Sequence, residues 1–181
     1  MAETTVGELD DVIDRLVRPI EDWPEPGVTF RDITPLLADP AAFGAVVDGL
    51  VALAEAAGPV DAVLGIEARG FLFGPSIALR LGVGFVPVRK AGKLPAESLS
   101  TSYDLEYGSA TLEMHVDALA PGARVLVVDD VLATGGTLLA AADLVGQAGG
   151  TVAGNLVLIE LLALGGRERI ASTGCSALRT Y

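Results

Sequence analysis

The sequence of 181 residues contains one cysteine, one histidine and only two lysines. With Cys175 alone, neither an internal disulfide nor a cysteine-rich metal cage is possible, which excludes a stapled secreted domain. His115 has no Cys or Asp partner at ligand spacing and reads as a loop or surface residue, not a metal ligand or a base. Basic residues are scarce overall: 12 Lys and Arg stand against 24 Asp and Glu, a net charge of -12. That balance excludes a protein that grips nucleic-acid backbone over a broad surface. Long apolar runs are missing too. The most apolar stretches, 41–58 and 156–166, are broken by Asp48, Glu55 and Glu160, short of the roughly 20 residues a membrane span needs. The N-terminus is acidic (Glu3, Glu8, Asp10, Asp11, Asp14), where a signal peptide begins basic. The expectation is a cytoplasmic protein without membrane or nucleic-acid partners.

The hydrophobic share of 51% and a mean hydropathy of +0.52 are too high for a disordered acidic chain. The length suffices for a proper core and suggests one domain over 1–181. The charge is unevenly spread. The first 25 residues carry eight acids against Arg15 and Arg18, whereas the window 69–93 holds Arg69, Arg80, Arg89, Lys90 and Lys93 and no acid. A local cationic patch in an anionic chain suggests a specific anionic ligand.

Leu9, Val12, Ile13, Leu16 and Val17 have helical spacing over 8–18, and Pro19 ends that helix. Residues 20–40 form an irregular, proline-rich arm that contains Trp23, Phe30 and Ile33, and so reads as an ordered lid. Asp39 and Pro40 are the N-cap and first position of a helix to about 57. Apolar strands at 60–66, 84–88, 124–128 and 151–161 alternate with helices at 71–81 and 136–148. This is the pattern of an α/β fold with a mostly parallel central sheet flanked by helices. The polar stretch 89–114 interrupts it as a long flexible loop, with a strand over 109–114 returning from it. The tail from 165 ends in a short edge strand.

The most informative segment is 124–137, RVLVVDDVLATGGT. A hydrophobic strand leads to Asp129 and Asp130, and a short turn leads through Gly135, Gly136 and Thr137 into a helix. Open α/β sheets bind ligands at the carboxyl ends of their strands. Glycines turn backbone N–H groups toward a phosphate, the helix adds its positive N-terminus, and Thr134 and Thr137 add hydroxyls. Two carboxylates beside a phosphate make sense when the ligand also carries vicinal hydroxyls, as a ribose does. The segment is neither the P-loop GxxxxGK[ST] nor the dinucleotide GxGxxG.

Residues 127–137 resemble the ribose-5-phosphate signature of the type I phosphoribosyltransferases. Three further segments resemble the branch of that family that accepts adenine: PGVTFRDI at 26–33, GIEARGF at 65–71, and RKAGKLP at 89–95 followed by YDLEYG at 103–108. The resemblance covers roughly 22–170. It implies the type I fold with a small N-terminal hood at 20–40 and a flexible catalytic loop at 89–114. The implied reaction takes adenine and phosphoribosyl pyrophosphate to AMP and pyrophosphate with Mg2+, in a homodimer.

It also implies residue roles. Asp129 and Asp130 hold the ribose hydroxyls and stabilise a cationic sugar. Ala133, Thr134, Gly135, Gly136 and Thr137 hold the 5-phosphate. Glu67, Ala68 and Arg69, in a loop with a non-proline cis peptide, bind pyrophosphate together with Arg89, Lys90, Lys93 and Tyr107. Lys93 is a candidate to serve the other protomer's site. The backbone of Thr29 and Arg31 reads adenine, Phe30 stacks on it, and Leu161 closes its other face. Glu106 either orients adenine and takes its N9 proton or only orders the loop. Magnesium is held mainly through the substrate, with no direct protein ligand. Two alternatives remain: a same-fold enzyme for another base, and a non-catalytic regulator that binds the sugar phosphate.

Overall fold

A computed structural model describes residues 6–104 and 109–181. By contacts the chain falls into two compact units, Met1–Gly49 and Leu50–Tyr181. In the first, α1 (Val6–Leu16) buries Ile13 and, just beyond its end, Val17, the two ends of an i, i+4 stripe. The proline-rich arm is more regular than its composition suggests. β1 (Arg18–Ile20) pairs antiparallel with β2 (Phe30–Asp32), and Pro19 sits opposite Arg31. A two-stranded ribbon tolerates this proline because each strand has a free edge where no N–H is needed.

Between these strands Asp22 accepts the Gly27 N–H at 2.8 Å, and the Trp23 ring stands edge-on to Phe30 with centroids 4.5 Å apart. After β2, Asp32 takes the Thr34 N–H at 2.9 Å and its hydroxyl at 2.8 Å, which opens α2 (Thr34–Ala38). Asp39 caps α3 (Pro40–Ala56) as expected, accepting the Ala41 and Ala42 N–H groups at 3.0 Å each.

The second unit is built on a seven-stranded sheet. Its elements are β3 (Ala62–Ile66), α4 (Gly70–Leu81), β4 (Gly84–Lys90), β5 (Ser98–Asp104), β6 (Ser109–His115), β7 (Arg124–Leu132), α5 (Gly136–Gln147), β8 (Thr151–Glu160), a 3-10 turn (Leu162–Leu164), α6 (Gly166–Arg169) and β9 (Cys175–Thr180). The spatial order is β5-β6-β4-β3-β7-β8-β9. The five strands from β4 to β9 run parallel, and β6 and β5 extend the sheet antiparallel beyond β4. Every residue of β3 is buried, as a parallel strand covered on both faces requires. No described helix is long and apolar enough to cross a membrane.

Two expectations need correction. Much of 89–114 is paired strand, because β5 and β6 form a hairpin in the sheet. Leu99, Thr101 and Tyr103 alternate with exposed Ser100 and Ser102, a period of two that was masked by the polar composition. Second, β7 does not stop before its acids. It runs through Asp129 and Asp130 to Leu132, because β8 continues beside it as a parallel partner.

Candidate active site

From β3 the chain first moves outward to β4 on one side, then returns through β7 to the other side of β3. The strand order therefore reverses between β3 and β7, and a crevice opens beyond their carboxyl ends. Two loops leave the sheet there. The first, Glu67 to Arg69, packs directly on β7: a Cβ on Gly70 would lie 2.5 Å from the Val128 carbonyl oxygen. The second, 133–135, turns through Gly135 at φ 82 into α5. No side chain among the described residues caps α5, so its first N–H groups remain available to a ligand.

Between these loops lies a cavity of about 200 Å³ lined by Arg69 and by residues 129–138. Asp129, Asp130, Ala133, Thr134, Gly135, Gly136, Thr137 and Arg69 are thus brought together as expected. Adjacent strand residues point to opposite faces, so the two acids are not equivalent. Asp130 is 3% exposed, and its Oδ2 lies 2.8 Å from Arg69 Nε. That oxygen makes no hydrogen bond among the described residues. Asp129 is more open, and its Oδ1 accepts the Asp130 N–H at 2.9 Å. Desolvation, and then the neighbouring Asp130 charge, push the Asp129 carboxyl well above its ordinary range. Asp130 is also raised, because desolvation outweighs the Arg69 guanidinium.

The cationic patch is less open than the sequence suggests. The Glu67 carboxylate accepts Arg89 Nη2 at 3.1 Å and the Lys90 N–H at 3.0 Å, and Lys93 Nζ stands 3.6 Å away. Arg89 Nη1 donates to the Lys93 carbonyl at 3.0 Å, while its buried Nε finds no hydrogen-bond partner among the described residues. Desolvation pushes the Glu67 carboxyl up, but the Arg89 and Lys90 hydrogen bonds outweigh it and hold it below its ordinary value. Glu67 thus meets these cations through its side chain, an arrangement the acid-free window 69–93 concealed. The Glu67–Ala68 peptide is cis.

Of the other expected residues, Thr29, Phe30 and Arg31 belong to the first unit, at and before β2. Leu161 follows β8, half-buried, and its N–H donates to Leu132 O at 2.9 Å. Glu106 and Tyr107 lie outside the described residues. Two contacts escaped the sequence reading. The Thr137 hydroxyl lies 3.5 Å from that of Tyr103 on β5, and buried Glu160 pairs with Arg167. Only the period-two pattern over 98–104 hinted at the first. His115 ends β6 with a buried Nε2 that lacks a hydrogen-bond partner among the described residues, so it is less exposed than expected. Burial raises the Cys175 thiol to about 11, which leaves it inert as a nucleophile near neutrality.

A family model for a phosphoribosyl transferase domain matches residues 37–175. The adenine phosphoribosyltransferase of Thermobifida fusca (strain YX) is 59% identical over 175 residues, 96% of this chain and 98% of that protein. Its counterpart in Streptomyces coelicolor is 62% identical over 156 residues, 85% of this chain and 84% of that one. The crystal structure of the adenine phosphoribosyltransferase from Saccharomyces cerevisiae, in complex with an imino-altritol bisphosphate and adenine, aligns with a TM-score of 0.91 at 37% identity, covering 95% of this chain and 99% of that one. Domain match, near full-length identity and the crevice between β3 and β7 agree: the chain belongs to the adenine phosphoribosyltransferases of the type I phosphoribosyltransferase family.

Proposed function

We propose that the crevice between β3 and β7 carries the family's reaction, transfer of the phosphoribosyl group from phosphoribosyl pyrophosphate to adenine in purine salvage, with the residue roles that follow. The observation that carries this reading is the single cavity wall formed by Arg69, the two acids of β7 and the uncapped start of α5. The 5-phosphate sits on the N–H groups and hydroxyls of 133–137, where fixed dipoles and the helix N-terminus meet it without a lysine. Asp129 and Asp130 accept hydrogen bonds from the 2- and 3-hydroxyls. Their negative charge favours the positive charge that develops on the sugar as the C1–O bond to pyrophosphate breaks and the C1–N9 bond to adenine forms.

Pyrophosphate leaves toward the Glu67–Ala68 peptide, Arg69, Arg89, Lys90 and Lys93, with Tyr107 completing that side. Leaving pyrophosphate gains charge, so cations there bind the transition state better than the ground state. For adenine, the family resemblance assigns stacking to Phe30 and base reading to the backbone of Thr29 and Arg31 in the first unit, and a separate contact to Leu161 in the second. Adenine gives up its N9 proton, and Glu106 is the candidate acceptor.

Magnesium fits this site as a partner of the substrate. The acids of β7 line the cavity and offer oxygen donors beside it, Asp129 being the more open of the two. When bound, magnesium would be held mainly through the substrate, beside Asp129 and Asp130, and would neutralise substrate charge. The same reading makes the protein a cytoplasmic homodimer, which light scattering would check.

The deciding assay uses purified protein, phosphoribosyl pyrophosphate, magnesium and each nucleobase in turn. Formation of AMP from adenine, with other bases far slower, is expected. Turnover of hypoxanthine, guanine or orotate instead would move the assignment to another base, and no turnover at all would leave a sugar-phosphate-binding regulator.

A further inference from the structure

Behind the loop assigned above to the 5-phosphate stands an ion pair outside the cavity wall. Glu160, the last residue of β8, is 2% exposed. Its two carboxylate oxygens take the Nε–Nη2 edge of the Arg167 guanidinium: Nε donates to Oε1 at 2.7 Å, and Nη2 makes a short contact with Oε2. The third nitrogen, Nη1, donates to the Cys175 carbonyl at 2.7 Å. Arg167 is thereby fixed to the end of β8 and the start of β9. A buried carboxylate without such a partner would be costly, so the pair holds its geometry strongly.

The residue next to Arg167 touches the phosphate loop through bare backbone. A Cβ on Gly166 would lie 2.1 Å from the Ala133 carbonyl oxygen and 2.7 Å from Leu132 Cδ1. A Cβ on Gly135 would lie 3.0 Å from the Gly166 carbonyl oxygen. Backbone meets backbone here, with the Leu132 and Ile170 side chains packed alongside, so a shift of α6 passes into 133–135. On the other flank, the Leu161 N–H is tied to Leu132 O. We propose that the Glu160–Arg167 pair is a positioning device for the sugar-phosphate site: it seats Gly166 against the Ala133 and Gly135 peptides and so aims the N–H groups of 133–137 at the 5-phosphate. The inference rests on the assignment of 133–137 to that phosphate and adds residues that do not line the cavity.

The test uses the full chain with Arg167→Met, Arg167→Lys, Gly166→Ala and a Glu160→Met/Arg167→Met double variant. The double variant leaves no buried charge and keeps the experiment informative if Arg167→Met alone fails to fold. Calorimetry measures ribose 5-phosphate and inorganic pyrophosphate separately, and steady-state kinetics gives KM for phosphoribosyl pyrophosphate and kcat per folded site. Arg167→Met, the double variant and Gly166→Ala are expected to weaken ribose 5-phosphate about tenfold and to raise KM similarly, since small misplacements of binding groups are costly. Pyrophosphate affinity should stay within about twofold, kcat within about threefold, and Arg167→Lys should recover part of the loss. Folded variants with unchanged ribose 5-phosphate binding overturn the proposal, as does an equal loss of both ligands, which marks general structural damage. Thr137→Val separates the two levels. If it leaves ribose 5-phosphate unaffected, the assignment of the loop fails. If it weakens binding while the Arg167 and Gly166 variants do not, only the positioning role fails.

Discussion

The loops after β3 and β7 leave neighbouring parallel strands at the same end of one sheet, yet they are made of opposite materials. The β3 loop works with side-chain charge: Glu67 gathers Arg89, Lys93 and the Lys90 N–H, and Arg69 lies against Asp130. The β7 loop has no charged side chain from 133 to 137 and offers N–H groups, two threonine hydroxyls and a helix start. The two anions of the proposed reaction differ in the same way. A 5-phosphate keeps its charge from substrate to product, which suits fixed dipoles. A departing pyrophosphate gains charge, which suits cations that exchange a carboxylate partner for the leaving group.

The largest effect expected from this contrast lies where the loops meet. Asp129→Ala with Asp130→Ala should lower kcat/KM by about 10³-fold or more, while the thermal midpoint moves by only a few degrees. Comparable damage to turnover and stability, measured by kinetics and melting, would return the acids to a structural role. A crossed pair of variants tests the division itself. Arg69→Met should weaken pyrophosphate about 10- to 100-fold and ribose 5-phosphate little, and Thr137→Val should do the reverse at about tenfold. Calorimetry showing equal losses for both ligands would dissolve the distinction. A milder version needs no mutation. Raising salt from about 0.05 to 0.5 M should weaken pyrophosphate more than ribose 5-phosphate, because side-chain cations near solvent are screened.

The smallest effects are in stability, and they have opposite signs. The Glu67 carboxyl is held below its ordinary value, so its contribution is present at neutral pH and lost as pH falls through that depressed value. Glu67→Gln should therefore cost about 1–2 kcal/mol at pH 7 and little in strong acid. Asp129 and Asp130 are raised, so the fold penalises their ionised forms, and stability falls as pH rises from the ordinary carboxylate value through the raised ones. Asp129→Asn with Asp130→Asn should thus stabilise by roughly 1 kcal/mol at pH 7, a gain that vanishes in acid. Urea titrations across pH would show either sign reversed if the two loops were electrostatically alike.

Legibility in the sequence followed the locality of the signal. Asp39-Pro40, the apolar runs within β3 and β7 and the double glycine at the start of α5 are short-range patterns, and each lies where expected. The hairpin of β5 and β6 was hidden because its alternation is carried by serines and threonines, which also mark loops. Pro19 reads from the sequence only as a helix stop, and the free edge of the two-stranded ribbon admits it to a strand. In the site, 129–137 was readable as one contiguous segment with a known chemical logic. The Glu67 grouping and the Glu160–Arg167 pair were not, because Arg89 lies 22 residues from Glu67 and the contact to Ala133 is made by the backbone of Gly166, next to Arg167.

The residues alone determined the class of fold and the strand–turn–helix with its double glycine, since propensity, hydrophobic period and glycine placement act over a few residues. Which charges face each other was decided by the tertiary structure. Only the reversal of strand order between β3 and β7 sets Arg69 against Asp130, and only the parallel run of β8 beside β7 carries Leu132 and Glu160 to the back of the 133–137 loop. Hydrogen bonds need donor and acceptor within about 3 Å and ion pairs weaken with distance and screening, so partners distant along the chain acquire meaning when the sheet brings them into reach.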